Sequence, residues 1–178
     1  MKTEIEQLLL SYSSFGKPEA VELTQKVAND EILFSQLMTA FLASNMRVTQ
    51  RAAWIISHCA EIKPELLLGY LKPMLQNLYN KPTDAVKRNT LRVFQFVELP
   101  EDCHEMAVDK CFQYLENRKE AVAIQVFAMS VIAKLIPYYP ELKNDLQLIL
   151  EDRLPTASAG YKSRAKKVLK QLEIIATD

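Results

Sequence analysis

The stretch that decides the fold is VTQRAAWII, residues 48–56, because three later segments can be placed in register with it. These segments read VKRNTLRVF at 86–94, VAIQVFAMS at 122–130 and YKSRAKKVL at 161–169. Their first residues are separated by intervals of 38, 36 and 39 residues. We take these first residues as anchors: Val48, Val86, Val122 and Tyr161. Self-similarity at such an interval predicts a protein built from repeated helical units.

Each segment has the apolar spacing of a helix with one buried face. Four positions after the anchors stand Ala52, Thr90, Val126 and Ala165, and seven positions after them stand Ile55, Val93, Met129 and Val168. Residues at these offsets lie on the same side of an α-helix. A proline follows the first three anchors after 16, 14 and 15 residues, and a second amphipathic stretch comes next. The sequence therefore predicts helix pairs with proline near the bend.

Helices are the only regular structure that the sequence predicts, since glycine occurs 3 times and no strand-like alternation is bounded by turn residues. Proline 73 falls inside a predicted helix and indicates a kink or a late helix start. Four residues are predicted N-caps: Asp30, Asn45, Thr83 and Ser158. The predicted helices span residues 2–12, 18–28, 31–44, 47–61, 64–79, 84–98, 101–116, 119–136, 139–154 and 158–175.

These helix pairs, with a small residue and a valine early in the first helix and a proline near the bend, resemble the HEAT and armadillo-like class of α-solenoids. The resemblance covers about residues 45–175. It implies an all-α fold, a right-handed superhelix of about four to five antiparallel helix pairs. We expect one domain over residues 1–178, divided as follows: N-terminal cap and degenerate repeat 1–44; repeats 45–82, 83–118 and 119–157; C-terminal capping helix 158–178.

Composition places the chain among ordinary folded domains. It has 178 residues, with 22 Lys plus Arg against 22 Asp plus Glu, and 49% of its residues are hydrophobic. This balance excludes a disordered chain and disfavours a general polyanion binder. The three cysteines include no C-x-x-C pair, so we expect reduced thiols. No export signal or membrane-spanning run is recognised, and we expect a cytoplasmic protein that binds no membrane.

The sequence indicates no catalytic, cofactor or metal site. His104 stands beside Cys103, with Cys111 further along, but a helix places these two thiols roughly 12 Å apart along its axis. No Gly-rich phosphate loop and no G-x-S-x-G nucleophile motif occurs. We expect no cofactor and no metal, and a function that is more consistent with binding than with an enzyme.

The leading prediction is a scaffold that binds a protein or peptide, because a solenoid offers an extended groove and no catalytic set emerges. Arg51, Trp54 and His58 share a stripe of the first repeat helix with Glu61. The corresponding helix of the next repeat adds two cations. The candidate partner-binding residues are therefore Arg51, Trp54, His58, Arg88 and Arg92. In the alternative interpretation, Trp54 only wedges between repeats and His58 bonds locally.

Two other functions stay open at this point. HEAT-like solenoids that resemble alkylpurine DNA glycosylases bind damaged DNA, so nucleic acid is an alternative partner, with candidate residues Lys162, Arg164, Lys166 and Lys167. The same basic residues are equally typical of a solvated outer face. A head-to-tail homo-oligomer is the other alternative, because residues 1–46 carry net charge −3 and residues 157–178 carry +3. The oligomeric state is left open.

Overall fold

A computed structural model describes residues 2–43 and 45–175. It contains α-helices joined by short turns and 3₁₀ segments, and no β-strand occurs among these residues. The helices are α1 Glu4–Ser11, α2 Lys17–Ala28, α3 Glu31–Ala43, α4 Met46–Ile62, α5 Leu71–Asn77, α6 Asp84–Phe96, α7 His104–Glu116, α8 Val122–Leu135, α9 Leu142–Arg153 and α10 Ala159–Ile175. Every predicted helix has its counterpart, and the all-α prediction is confirmed.

Helix starts follow local capping chemistry. Asp30, Asn45 and Ser158 each accept a hydrogen bond from the backbone N–H three residues further on, at 2.9, 3.2 and 3.4 Å. These three N-caps are confirmed. Thr83 is likewise the N-cap residue of α6, with the extended backbone of a cap, so its predicted position is confirmed. The capping bond expected from its side chain is absent, and its Oγ1 is buried without a hydrogen-bond partner among the described residues.

The predicted helix 64–79 is divided. Its first half, Pro64–Tyr70, is a 3₁₀ segment, and α5 begins only at Leu71. Pro73 is the third residue of α5, within the first turn, where a backbone N–H has no intrahelical acceptor to lose. The late helix start that Pro73 indicated is therefore confirmed.

The helices form two compact units, Met1–Leu99 and Pro100–Asp178, which we call the N-terminal and the C-terminal unit. In the N-terminal unit, α4 is central and contacts α1, α2, α3 and α6. In the C-terminal unit, α8 contacts α7, α9 and α10. In both units the helix that carries an anchor thus packs against the next anchor-bearing helix, as stacked repeats require. The expected single domain over the whole chain stays a prediction.

The exposed fractions confirm three of the four predicted anchors and show that Val122 is not the anchor of α8. Val48, Val86 and Tyr161 are at most 1% exposed, whereas Val122 is 42% exposed. The residue that takes the anchor position in α8 is Ile124, which is 0% exposed. With Ile124 as anchor, the intervals become 38, 38 and 37 residues, which is more regular than the predicted series.

The burial pattern of α8 supports this shift of two residues. Buried residues stand four, seven and eleven positions after Ile124, at Ala128, Val131 and Leu135, as Ala52, Ile55 and Cys59 do after Val48. The predicted core residue Val126 is only half-buried. Because α8 is apolar around most of its circumference, its sequence fits more than one register, and only packing selects the buried face.

The corrected register can be tested by comparing two truncations on α8. We expect Ile124→Ala to lower the free energy of unfolding by about 2–5 kcal/mol, since it opens a cavity, and Val122→Ala to lower it by less than about 1 kcal/mol. Urea denaturation followed by circular dichroism measures both. Equal losses for the two variants would restore Val122 as the anchor.

Candidate functional site

Arg51 is the best-buried charged residue among the predicted site residues, with 9% of its surface exposed. Its Nη1 donates hydrogen bonds to the carbonyl oxygens of Leu9 and Tyr12, the second at 3.0 Å. Its guanidinium carbon lies 5.1 Å from the centroid of the Phe15 ring. The last carbonyls of a helix have no intrahelical donor, so Arg51 satisfies groups at the end of α1. Arg51 therefore ties α4 to α1 and to the segment that follows it.

The segment after α1, residues 12–16, is held by hydrogen bonds at both of its ends. Nη2 of Arg47 donates to the carbonyl oxygens of Tyr12 and Ser13, each at 3.3 Å. At the other end, the backbone N–H of Gly16 donates to Glu19 Oε2 at 2.8 Å, and backbone hydrogen bonds of this kind lower the pKa of Glu19. These bonds fix the position of Ser13 relative to α4.

A concave pocket of about 410 Å³ lies beside this segment, within the N-terminal unit. Three parts of the chain form its wall: the segment after α1, one face of α4 and the first turns of α6. The lining residues are Ser13, Ser14, Phe15, Arg47, Gln50, Arg51, Trp54, Ala85 and Arg88. The four that α4 contributes are spaced as one helical face. The described lining contains three arginines and no carboxylate. We call this cavity the arginine pocket.

The arginines differ in how far their charge is already compensated. Arg47 and Arg88 are exposed, and neither forms an ion pair with a residue that the structure describes. Burial lowers the pKa of Arg51, and the neighbouring charge of Arg47 adds to this effect. The reference pKa of arginine is so high that the side chain stays charged at neutral pH. The pocket is therefore positively charged.

Trp54 forms the aromatic end of the pocket. Its ring is half-buried and lies edge-on to Phe15, with centroids 6.2 Å apart. On its other side it stacks on His58 at a centroid distance of 6.5 Å. The stripe that the sequence predicted on α4 is thus assembled, and Trp54 joins it to the arginine pocket.

The other end of the stripe is electrostatically paired. His58 Nδ1 lies 3.6 Å from Glu61 Oε1, and Arg92 forms an ion pair with the same carboxylate. Burial lowers the pKa of His58; Glu61 opposes this, while Arg92 and Lys17 lower it further. At neutral pH His58 is therefore an uncharged ring, and its Nε2 is buried without a hydrogen-bond partner among the described residues.

Two of the contacts between α4 and α6 show in which direction these helices run. Near their starts, Arg47 and Ala85 line the same pocket, and further along, Glu61 pairs with Arg92. The helices therefore lie side by side in the same direction. This arrangement places Arg88 at the pocket and Arg92 at the paired end of the stripe, so the two predicted cations of α6 have different surroundings.

Sequence reasoning did not connect Ser13, Ser14 and Phe15 with the predicted site. The bond from Arg47 to Tyr12 joins residues 35 positions apart, and such a contact leaves no local sequence pattern. The part of the pocket wall that α4 forms could be found in the sequence, because four of its residues have the spacing of one helical face: Arg47, Gln50, Arg51 and Trp54.

The alternative basic residues lie on α10 in the C-terminal unit. Lys162 and Arg164 are half-buried, whereas Lys166 and Lys167 are exposed. Lys162 Nζ donates to the carbonyl oxygen of Pro155 at 3.2 Å. The structure thus keeps these four residues on one helix and leaves two of them open to solvent.

The second histidine, His104, is the first residue of α7 in the C-terminal unit. His104 is buried, and its Nδ1 lies 3.1 Å from the hydroxyl of Tyr139. Burial raises the pKa of Cys59 to about 12 and also raises that of Cys111, so both thiols are protonated at neutral pH. Within the described ranges, no three His, Cys, Asp or Glu side chains are grouped to hold a metal ion. None of the described helices has the length and hydropathy that a bilayer crossing needs.

Comparison with known families agrees with the repeat packing. The family model described as HEAT repeat domain matches residues 9–172, and the chain belongs to this family. No curated protein and no solved structure matches the chain. The predicted HEAT-like class, an all-α solenoid, is thereby confirmed, and the match reaches into residues 1–44, where a cap and a degenerate repeat were predicted.

The structural role of Arg51 gives a test with a matched control on the same helix. We expect Arg51→Ala to lower the free energy of unfolding by about 2–4 kcal/mol, because it removes the donor to the buried carbonyl of Leu9 and leaves the carbonyl of Tyr12 with the longer bond from Arg47 alone. Arg47→Ala removes an exposed side chain whose hydrogen bonds to backbone carbonyls are longer, at 3.3 Å. It should lower the free energy of unfolding by less than about 1 kcal/mol. Urea denaturation measures both losses, and hydrogen exchange should show α1 amides opening first in Arg51→Ala. If Arg51→Ala lowered the free energy of unfolding no more than Arg47→Ala does, the structural role of Arg51 would be contradicted.

Proposed function

We propose that this HEAT repeat chain is a non-enzymatic module that binds a protein or peptide through its N-terminal unit. The partner surface comprises Trp54, His58, Arg88 and Arg92, which we call the Trp54 face. The observation that supports it is the position of Trp54, half-buried at the wall of a charged pocket and flanked by the exposed Arg88. Trp and Arg are the residues most enriched where binding energy concentrates, above all in pockets.

Arg51 is left out of the Trp54 face, although the sequence suggested it. Its Nη1 is used by the carbonyls of Leu9 and Tyr12, so a variant at Arg51 changes the fold before it changes binding. Arg92 keeps a secondary role, because its charge is shared with Glu61. The main contributions come from Trp54 and Arg88.

The non-enzymatic part of the proposal is supported by the state of the reactive side chains. The two histidines are engaged locally, His58 with Trp54 and Glu61, and His104 with Tyr139. The three cysteines, Cys59, Cys103 and Cys111, are buried free thiols. Free thiols are typical of a reducing compartment, and we propose a cytoplasmic location.

The test is capture and direct binding with the full chain. Tagged protein is used to isolate a partner from a lysate of its own source, the partner is identified by mass spectrometry, and its affinity is then measured by calorimetry. We expect Trp54→Ala combined with Arg88→Ala to weaken binding by about 2 kcal/mol or more, the size of a hot-spot loss. The single variant Arg88→Ala, which removes only an exposed side chain, should lower affinity without changing the circular dichroism spectrum.

The matched control is Lys166→Ala combined with Lys167→Ala, which removes exposed charge from the C-terminal unit. Unchanged affinity in this control, together with a loss in the Trp54 and Arg88 variants, supports the Trp54 face. Full affinity in both double variants would remove the Trp54 face from the proposal.

Nucleic-acid binding is the second candidate, and one observation favours it: Lys166 and Lys167 are exposed on α10 and form no ion pair with a described residue. A duplex-binding protein loses affinity steeply with salt, with a log–log slope of about −0.9 for each phosphate contact. We expect the titration of duplex DNA by fluorescence anisotropy to be flat at low salt. This candidate would be favoured instead if affinity fell steeply with salt and if the log–log slope became smaller in magnitude by about two in the Lys166 and Lys167 double variant.

A further inference from the structure

We infer that the arginine pocket receives the carboxylate side chains of an acidic segment of the protein partner. This inference rests on the proposed function and adds the chemistry of the partner to it. The residues that would contact the carboxylates are the exposed Arg47 and Arg88, with Trp54 beside them and the charge of Arg51 in the pocket wall.

The pocket holds positive charge that the chain itself does not compensate. Two carboxylates near the stripe and the segment are already engaged, Glu61 by Arg92 and Glu19 by the N–H of Gly16. Arg47 and Arg88 have no ion-pair partner among the described residues. Charge complementarity therefore favours an anionic occupant.

The donors are held in place before any ligand arrives. Arg51 binds backbone carbonyls only through Nη1, and Arg47 only through Nη2. A guanidinium group has five N–H donors in a rigid fork, so each keeps donors suited to a carboxylate. Because the side chains are already ordered, binding loses less conformational entropy than it would with free arginines.

The size and surroundings of the pocket favour a peptide over nucleic acid. At about 410 Å³ it has room for one or two side chains. Residues 1–99 carry 11 Lys plus Arg against 10 Asp plus Glu, so the unit around the pocket is close to neutral. Binding a duplex requires many phosphate contacts over an extended basic surface. A local cationic cavity beside an indole ring instead fits an acidic side chain with an apolar neighbour.

The experiment uses two fluorescein-labelled peptides, one rich in Glu with interspersed Leu and one with Gln in place of every Glu. Anisotropy with the full chain should show binding of the Glu peptide and about tenfold or weaker binding of the Gln peptide. Arg88→Gln should lower the affinity for the Glu peptide by about tenfold, which is the usual effect of losing one charge-assisted hydrogen bond. Lys166→Gln makes the same charge change in the C-terminal unit and should have no effect.

Equal binding of both peptides, no binding of the Glu peptide, or insensitivity to Arg88→Gln would overturn the inference. So would tighter binding of single-stranded DNA than of the Glu peptide with the same dependence on Arg88. The outcome is separable from the proposed function. An identified partner that loses affinity for both the Arg88 and the Trp54 variants, while the Glu and Gln peptides bind equally, refutes the carboxylate site alone. Glu-peptide binding without any protein partner refutes the proposed function alone.

Discussion

A pair of amphipathic helices cannot remove both of its apolar faces from water, and the rest of the structure follows from this constraint. Stacking an anchor-bearing helix on the next one solves it, as α4 on α6 and α8 on α10 do. Burying one aliphatic side chain such as Ile55 or Ile124 is worth about 1.5–3 kcal/mol, whereas an exposed ion pair contributes about 0–1 kcal/mol. The apolar contacts thus set the arrangement, and the side-by-side direction of α4 and α6 that brings Arg88 to the pocket is their consequence.

Arg51 is the polar exception in this apolar arrangement. Burying a guanidinium group is costly unless its donors are satisfied, and the carbonyls of Leu9 and Tyr12 accept hydrogen bonds from it. The same contacts close the end of α1 and bring Ser13 and Phe15 against α4. One residue therefore both stabilises the N-terminal unit and shapes the wall of the arginine pocket. For this reason the pocket is tied to the integrity of α1.

The helices could be predicted because their signals are local. The caps at Asp30, Asn45 and Ser158 and the late start at Pro73 each depend on residues within one turn. The errors arose where a local pattern allowed two solutions. Val122 and Ile124 both fit the apolar pattern of α8, and Thr83 takes the predicted cap position without the capping bond. Trp54 and Arg88 were both named as candidate residues and line the same pocket, but that pocket depends on a segment more than thirty residues away.

The sequence by itself determined that the chain is helical, where its helices other than α5 begin and end within a few residues, and that helix pairs recur at nearly equal intervals. Apolar periodicity, prolines and caps are short-range properties, so they can be read along the chain. Only the tertiary structure decided which arginine is buried and which are open, which register α8 adopts, and that Ser13 and Phe15 meet Arg47 and Trp54. These outcomes depend on packing between distant residues, where burial and hydrogen bonding select one of several arrangements that the sequence pattern allows equally.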